Sequence, residues 1–424
     1  MPSSPDGYGP ARTTDVAALA LDHVDRLIVG TVRDMHRAVA SRAFRATRLV
    51  GGRVPESVHD AAATSLYGAI SGFLRVSSAG VRAMATRGIG RPVESTRRGR
   101  QIVAAVNGLI GDELRMLDDP QAIVMAVRKD GVDVPVTGWQ VAEAFRGGSS
   151  HLVVFLHGLC EDDESWSLGE RTRGATYPTR VQAETDGTPV MIRYNTGLHV
   201  SENGKHLDVL LQQLVEAWPV AVTRITLVGH SMGGLVARAA TNHATASGQS
   251  WHHLVRDVVC LGTPHGGAAL EKVAHLGSRA LRLLPETRPF STILESRSAG
   301  IVDLRHGYIS NDEWEGQDLT GQWGLDRIAA APLPRADYYF VASSLGASER
   351  HPLSSVLGDV LVHVSSATGV TRKGPIVQGA RSEYVPSAHH FALLNHPRIA
   401  DLMVGWLNDR ASDPPALMAA DTDV

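Results

Sequence analysis

Hydrophobic residues near the start of the chain recur at a helical period. Apolar side chains three or four positions apart mark segments within residues 17–39, 66–74 and 102–117. This spacing places the apolar side chains on one face of each helix. The pattern predicts an N-terminal helical region over residues 13–118, preceded by a flexible terminus at residues 1–12.

The hydrophobic pattern changes near residue 119. Two short stretches, 123–127 and 132–136, flank Lys129-Asp130-Gly131, and an Asp-Gly pair in this position is a hairpin signal. Beyond the hairpin, short apolar runs alternate with helix-like segments, and the runs cover residues 151–158, 190–194, 224–231, 258–264 and 338–343. Continuous apolar strands separated by helices are typical of a parallel sheet with helices on both faces. We therefore predict an α/β domain over residues 119–410.

Two further segments depart from this alternation of strands and helices. Residues 275–335 carry apolar positions at helical spacing, which predicts an inserted helical segment. That insertion could open as a lid over a pocket or stay closed as packed helices. Residues 411–424 are small and acidic, and we expect a disordered tail there.

The composition excludes several classes of protein. Hydrophobic residues make up 43% and charged residues 20% of the 424 positions, as in globular proteins with a sizeable core. A formal net charge of −3 gives no general attraction for nucleic acid, so no nucleic-acid partner is expected. Cys160 and Cys260 are too few for a disulfide scaffold or a cysteine-built metal site. We expect both thiols to be reduced and buried, with a single bridge between them as the alternative.

The sequence predicts a cytoplasmic location. The first residues show no basic start followed by an apolar stretch, and no uncharged run reaches the roughly 18–20 apolar residues that span a bilayer. The arginine-rich stretch at 87–100 leaves peripheral contact with a membrane or lipid surface as an option, beside the more ordinary interpretation as a solvated loop.

The strongest chemical signal is the run Gly229-His230-Ser231-Met232-Gly233, which follows a predicted strand and precedes a helix-like segment. A serine on a sharp strand-to-helix turn needs small neighbours, and glycines two positions before and after it keep the bend free of clashes. The turn also sets the serine at a helix N-terminus, where unpaired N–H groups favour developing negative charge. We predict that Ser231 is a nucleophile on an elbow that includes Gly229, His230 and Gly233.

A candidate base lies near the C-terminus, since in this topology the histidine follows the serine and the acid along the chain. His389, His390 and His396 stand just ahead of a predicted final helix at residues 398–408. A loop in that position can reach over the carboxyl edge of the sheet. We choose His390, because His396 precedes Pro397 at a helix start and His389 fits a position that lines the pocket.

The acid is expected between the serine and the histidine in chain order. Asp359 fits this order, lies beyond the predicted strand at 338–341 and stands beside Gly358. Its alternative role is that of a turn residue before an edge strand. Asp303 is the runner-up, but it falls in the insertion, where pairing with Arg305 or capping a helix would also explain it.

The tetrahedral intermediate of acyl transfer needs hydrogen-bond donors, which two backbone N–H groups can supply. One is the N–H of Met232, directly after the nucleophile. The other is expected in the loop after the strand at 152–156, where we nominate the N–H of Leu159. Gly158, just before it, gives this loop a flexible approach.

Together these motifs resemble the α/β-hydrolases over residues 120–410, most closely the lipase and esterase branch with bacterial lipases and inositol-deacylase-like esterases. The matching pieces are V-F-L-H-G-L at 154–159, G-H-S-M-G-G at 229–234, G-T-P-H-G-G at 262–267, D-x-L-V at 359–362 and H-F-A-L-L at 390–394. The resemblance implies Ser231, Asp359 and His390 as nucleophile, acid and base, and it implies Leu159 and Met232 as oxyanion donors. It gives His265 a structural role. The sequence departs from the family pattern at Val360, where relatives usually carry glycine.

The sequence thus predicts a serine hydrolase that cleaves carboxylic esters through an acyl-enzyme, with no metal and no organic cofactor. Its expected partner is an acyl ester, and lipids are included in that class. An acyltransferase, a thioesterase or an amidase would use the same residues. A binding protein on a hydrolase scaffold is the alternative from another class, and the intact Ser-His-Asp set argues against it.

Overall fold

The computed structural model describes residues 93–267, 298–315, 331–344, 359, 361–371 and 374–409. Two of the three predicted N-terminal helices, the termini at 1–12 and 411–424, and much of the predicted insertion lie outside these residues. The described residues belong to two compact units. One unit holds residues 93–103 and 116–121, and the other holds the remaining described residues.

The second unit is built on a mixed sheet. Within the described residues the strands are β1 Ala126–Lys129, β2 Val132–Val134, β3 His151–Leu156, β4 Gly187–Arg193, β5 Arg224–His230, β6 Val255–Leu261, β7 Asp337–Ser343, β8 Val370–Thr371, β9 Gly374–Pro375 and β10 Arg381–Val385. Eight of them form one sheet in the order β10-β7-β6-β5-β3-β4-β1-β2, and β8 pairs only with β9. The six strands from β10 to β4 run parallel, whereas β1 and β2 are antiparallel to their neighbours.

Helices connect most of these strands. The described α-helices are α1 Arg97–Met116, α2 Gly138–Ala144, α3 Glu170–Arg173, α4 Tyr177–Glu184, α5 Val200–Ala217, α6 Met232–Ser247, α7 Ala299–His306, α8 Val364–Ala367 and α9 Pro397–Asp409. Short 3-10 helices cover Val93–Ser95, Asp163–Ser167, Trp251–Leu254, Asn311–Glu313 and His390–Leu393.

The hydrophobic core lies on both faces of the sheet, because successive side chains of a strand point to opposite faces. On β3, Leu152, Val154 and Leu156 pack on the face covered by α2, α5 and α6, whereas Val153 and Phe155 pack on the face covered by α4 and α9. Every residue of β3 and β5 is buried. At about 1.5–3 kcal/mol for each fully buried large apolar side chain, these strands are a stable frame for the loops at their ends.

The strand order opens a crevice at the carboxyl ends of β3 and β5. From β3 the chain continues to β4 on one side, whereas from β5 it continues to β6 and β7 on the other. The loops that leave these adjacent strands therefore diverge, and parallel α/β sheets bind ligands at such a switch point. Leu156 of β3 pairs with Gly229 of β5, so the loop after His157 and the turn at Ser231 emerge side by side.

Most predicted elements of the α/β domain are confirmed. The predicted strand runs correspond to β3, β4, β5, β6 and β7, and the final helix is α9. The hairpin joins β1 to β2 through Asp130 and Gly131, whose φ angles of 50° and 75° suit a two-residue hairpin loop. Strand β10 is not predicted by the apolar pattern, because Val385 is its only buried residue.

The third predicted N-terminal helix is confirmed as α1. Residues 104–115 of α1 belong to the same unit as the sheet, ahead of the domain boundary expected at residue 119. Two glycines allow this close packing. A Cβ on Gly108 would collide with the Cys160 side chain, and a Cβ on Gly111 would collide with the Asn195 side chain.

Candidate active site

Ser231 stands between β5 and α6, at the turn predicted from the glycine pattern. Its φ of 52° and ψ of −119° lie where residues other than glycine are strained. The Ser231 N–H holds the turn by donating to the Leu261 carbonyl oxygen at 2.8 Å. A Cβ on Gly229 would collide with the backbone of Gly234, and a Cβ on Gly233 would collide with the end of β3. The tight packing therefore requires glycine at both predicted elbow positions.

His390 and Asp359 form a buried hydrogen-bonded pair. His390 Nδ1 lies 2.7 Å from Asp359 Oδ2, and both residues are buried. Burial alone would raise the pKa of Asp359, but its hydrogen bond to His390 and the N–H groups of Leu361 and Val362 lower that pKa below its ordinary value. A carboxylate only accepts hydrogen bonds, so Nδ1 carries a proton, and in a neutral imidazole Nε2 is then the acceptor.

The serine turn and the His390–Asp359 pair both contact the backbone at Leu261 and Gly262. Gly262 follows Leu261, whose carbonyl oxygen accepts from the Ser231 N–H, and a Cβ on Gly262 would lie 2.9 Å from His390 Cε1. His390 Nε2 is buried and, among the described residues, has no hydrogen-bond partner. Ser231 Oγ and His390 Nε2 are therefore not hydrogen-bonded here, and catalytic hydrogen bonds of this kind often tighten only with bound substrate.

The loop after β3 leaves the predicted oxyanion donor without a hydrogen-bond partner among the described residues. The Gly158 N–H donates to Glu161 Oε2 at 2.7 Å, the Cys160 N–H donates to Thr196 Oγ1 at 3.2 Å, and the Glu161 N–H donates to the Gly158 carbonyl oxygen at 3.2 Å. The Leu159 N–H lies between these engaged groups and donates to no described residue. Of the four N–H groups from Gly158 to Glu161, the one on Leu159 is thus available to a ligand.

The second predicted donor is the N–H of Met232, the first residue of α6. N–H groups in the first turn of a helix have no intrahelical partner, and their partial positive charge favours an anion at that end. Gly234, two residues further on, turns its own N–H back to the Ser231 carbonyl oxygen at 3.2 Å. The Leu159 and Met232 donors thus follow two adjacent strands, β3 and β5.

The sequence does not predict the partner of the elbow residue His230. Its Nδ1 lies 3.0 Å from Glu161 Oε1 and 3.1 Å from Glu161 Oε2. Burial opposes a charge on either group, but their mutual attraction raises the pKa of His230 and lowers the pKa of Glu161. The available signal was the acidic run at 161–164 directly after the oxyanion loop. Nothing in that run marks Glu161, rather than its three acidic neighbours, as the partner of His230.

The structure distinguishes His390 from the two alternative histidines. His389 is exposed, whereas His390 is buried. His396 is partly exposed, and its N–H donates to the Tyr177 hydroxyl at 2.9 Å, at the start of α9. Of the three, His390 is the one hydrogen-bonded to Asp359.

Asp303, the runner-up acid, is bonded to a different histidine. Its carboxylate lies 3.0 Å from His199 Nδ1 and accepts from the Val200 N–H at 2.8 Å. Val200 is the first residue of α5, so Asp303 caps a helix, one of the two roles expected for it. His265, expected to be structural, is buried with Nδ1 3.1 Å from a guanidinium nitrogen of Arg238.

Neither cysteine is suited to act as a nucleophile in place of Ser231. Both are free thiols, Cys260 being buried and Cys160 only half-buried, which differs from the expectation that both are buried. Burial raises the pKa of Cys160 to about 11 and that of Cys260 to about 12. The reactive form of cysteine is the thiolate, so both thiols are poorly reactive near neutral pH.

The described residues include neither a metal-binding cluster nor a membrane-spanning helix. No cluster of three or more His, Cys, Asp or Glu side chains in those ranges is placed to hold a metal ion. In the same part of the chain, no helix combines the length and the apolar character that crossing a bilayer requires.

The sheet order and the serine turn define the class of this protein: the chain has the α/β-hydrolase fold. A family model for the PGAP1-like alpha/beta domain, an α/β-hydrolase family, matches residues 195–296. That segment contains the elbow and β6. The resemblance to α/β-hydrolases that the motifs indicate is thereby confirmed.

Several solved structures resemble this chain at low sequence identity. Lipase BlEst2 from Bacillus licheniformis is 16% identical, with 67% of this chain and 98% of that chain covered and a TM-score of 0.40. An esterase from Pyrococcus furiosus is 17% identical, with 62% and 83% covered and a TM-score of 0.37. A bacterial membrane phospholipase A is 13% identical, with 82% and 98% covered and a TM-score of 0.38. No curated protein matches the chain.

Proposed function

We propose that this chain is a serine hydrolase that cleaves carboxylic esters. The observation that carries the proposal is the buried His390–Asp359 pair, whose Nε2 has no partner among the described residues, beside the strained turn at Ser231. Leaving a buried polar atom unpaired costs about 1–3 kcal/mol, and a strained residue costs a similar amount. Two such costs at one place favour a catalytic role over a purely structural one.

The proposed first step is attack by Ser231 on the ester carbonyl carbon. As the bond from Oγ to carbon forms, the hydroxyl proton passes to His390 Nε2. Asp359 holds the imidazole in the tautomer with Nδ1 protonated and stabilises the imidazolium that results. Its lowered pKa keeps Asp359 ionised near neutral pH, so the proton stays on His390.

Negative charge develops on the former carbonyl oxygen and is accepted by the N–H groups of Leu159 and Met232. Removing one such donor typically costs about 10²–10³ in rate. His390 then gives its proton to the leaving alcohol, and the acyl group remains on Ser231. Water, deprotonated by His390, attacks this acyl-enzyme in the second half of the reaction. His390 then returns the proton to Ser231 Oγ as the bond from Oγ to the acyl carbon breaks and the carboxylic acid leaves.

The ester class is supported by the motifs rather than by a defined pocket. The runs at 154–159 and 229–234 resemble those of lipases and esterases. An acyltransferase would share every group named above and differ only in the acceptor that reaches the acyl-enzyme. The lid and the closed packed helices weighed for residues 275–335 fall largely outside the described residues.

The proposal is tested with p-nitrophenyl esters from acetate to palmitate and with a fluorophosphonate probe. The wild type should turn over at least one ester and become labelled on Ser231. The variant Ser231→Ala should lose about 10⁴-fold or more in kcat and should not be labelled. Intact mass and peptide mapping locate the label.

Ser365→Ala is the matched control, because Ser365 is an exposed serine in α8. It should keep both turnover and labelling. Labelling of Ser231 without ester turnover would mean that the substrate carries another kind of acyl group. A folded wild type that is neither labelled nor active would overturn the proposal.

A further inference from the structure

Glu161 bonds to both of the loops that carry the proposed oxyanion donors. Its Oε2 accepts from the Gly158 N–H at 2.7 Å, in the loop after β3. The same carboxylate lies 3.0 Å from His230 Nδ1, at the end of β5. One carboxylate thus connects segments about 70 residues apart in the chain. A link of this kind fixes the spacing between the two loops.

Each end of this link is next to a donor. Gly158 directly precedes Leu159, and His230 directly precedes Ser231 and then Met232. A displacement of Gly158 or His230 is therefore passed along one or two peptide units to the N–H groups that would meet the oxyanion. A Cβ on Gly158 would lie 3.0 Å from the Glu161 carboxyl carbon, so the carboxylate packs directly against this backbone.

The link is an ion pair whose members depend on each other. Burial alone would neutralise both groups, but each favours the charged form of the other, which raises the pKa of His230 and lowers that of Glu161. Facing Glu161 are also His157 and Tyr194, and facing His230 are Asp359 and the ring of His390, whose centroid is 4.8 Å away. These groups belong to the crevice of the proposed site.

Stability alone gives little reason for such a pair. The desolvation cost of a buried ion pair often cancels its attraction, so that an apolar pair of similar volume folds as well or better. A charged pair does supply directional bonds at fixed lengths, which apolar contacts do not. The Glu161–His230 pair lies beside both proposed donors, where such directional bonds can fix the position of the backbone.

We propose that Glu161 and His230 are positioning residues that hold the Leu159 and Met232 N–H groups at the separation required by the oxyanion. The inference rests on the proposed function of Ser231. Neither side chain touches the substrate in this scheme. Both act through the backbone of the residues that follow Gly158 and His230.

The test compares Glu161→Gln and Glu161→Ala with Glu170→Gln, an exposed glutamate on α3 that serves as the matched control. Active sites are first counted by fluorophosphonate titration, so that kcat refers to competent protein only. A displacement of about 1 Å at a catalytic group can cost about 10²-fold. We expect kcat of Glu161→Ala to fall by about that factor while KM changes little.

A second readout isolates the oxyanion. An alkyl boronic acid forms a tetrahedral adduct with the serine, whereas the product carboxylate does not. Boronate affinity should fall in proportion to kcat, and product inhibition should stay constant. Glutamine keeps the shape of Glu161 and its oxygen can still accept from Gly158, so Glu161→Gln should retain more kcat than Glu161→Ala.

Both variants folded, with kcat and boronate affinity equal to those of Glu170→Gln, would overturn the inference. So would a loss confined to the number of titratable sites, because a purely structural role lowers only that number. If Glu161→Ala does not fold, Glu161→Gln and His230→Gln carry the same test, and failure of all three to fold also overturns it. A wild type without labelling at Ser231 would instead overturn the proposed function.

Discussion

Two His–Asp pairs in this chain use the same chemistry in different surroundings. In one, His390 Nδ1 lies 2.7 Å from Asp359, and in the other, His199 Nδ1 lies 3.0 Å from both carboxylate oxygens of Asp303. Both aspartates are fully buried. Bond length and burial of the acid therefore do not distinguish a catalytic pair from a structural one.

The two histidines differ in what surrounds the rest of the ring. His390 is buried against Gly262, close to the serine turn, and its Nε2 has no described partner. His199 is partly exposed and stacks on Trp314, with ring centroids 3.8 Å apart and planes 3° apart. An Nε2 with no described partner, beside the proposed nucleophile, favours the first pair as the catalytic one. A covered ring face and a capped helix mark the second as structure.

The two aspartates also differ in charge stabilisation. Burial raises the pKa of Asp303, and one backbone N–H together with His199 does not offset it, with Glu313 adding repulsion. Burial acts on Asp359 as well, but two backbone N–H groups and His390 lower its pKa. The comparison teaches that a buried aspartate paired with histidine keeps a well-stabilised carboxylate when further donors, here the Leu361 and Val362 N–H groups, add to the effect of the histidine.

The largest predicted effect separates the two pairs by activity. Asp359→Asn should lower kcat by about 10⁴-fold, because the amide favours the wrong tautomer of the histidine. Asp303→Asn should leave kcat per titrated site largely unchanged. Ester turnover after active-site titration measures both. A comparable loss of kcat in Asp303→Asn would contradict the division into catalytic and structural pairs.

The next largest effect is expected on stability, and it concerns the structural pair of His199 and Asp303. Asp303→Ala removes the cap of α5 and leaves the buried Val200 N–H unpaired, so the free energy of unfolding should fall by about 2–4 kcal/mol. Urea unfolding followed by circular dichroism measures it. Asp312→Ala, an exposed aspartate in the following 3-10 helix, should change stability by less than about 0.5 kcal/mol. Equal losses in both variants would remove the capping explanation.

The pH dependence of stability should have opposite signs for the two acids. A lowered folded pKa, as in Asp359, gives stability that is present above the unfolded pKa of about 3.9 and lost as the pH falls through the folded pKa. A raised folded pKa, as in Asp303, gives stability that is lost as the pH rises above about 3.9.

Unfolding free energies of the wild type and of both Asn variants, measured from about pH 6 down to about pH 3, test these signs. The difference between wild type and Asp359→Asn should shrink as the pH falls. Relative to Asp303→Asn, the free energy of unfolding of the wild type should increase as the pH falls. If both differences in the free energy of unfolding changed in the same direction with pH, the two carboxylates would have similar environments.

The smallest effect is expected for an ion network that lacks burial. Arg180 bonds Glu184 at 2.6 Å and Asp401 at 2.5 Å between α4 and α9, with both acids exposed. Exposed pairs contribute little, so Arg180→Ala should lower the free energy of unfolding by less than about 1 kcal/mol. The effect should decrease further in about 1 M salt. A loss larger than that of Asp303→Ala would contradict the role assigned to burial.

Most of the frame of the site could be predicted from the sequence because its constraints are local. The glycines around Ser231 reflect a bend within five residues, and the apolar runs of β3 and β5 reflect burial on both faces of the sheet. The hairpin and the elbow can both be predicted because their backbone geometry requires particular residue types.

The remaining parts depend on contacts between distant segments. Glu161 is one of four successive acids, and only the meeting of the β3 and β5 loops brings it within hydrogen-bond distance of His230. Strand β10 is polar along most of its length and is held by pairing with β7. The ambiguity among three C-terminal histidines is likewise resolved only by the bond from His390 to Asp359.

The backbone of Ser231 has a consequence for how such a chain changes over generations. Glycine adopts its positive φ without strain, so a population selected for folding alone would drift toward glycine at this position. A serine at this position costs about 1–3 kcal/mol of backbone strain in the folded state. A serine kept in a backbone conformation that fits it poorly therefore indicates selection for chemistry rather than for folding.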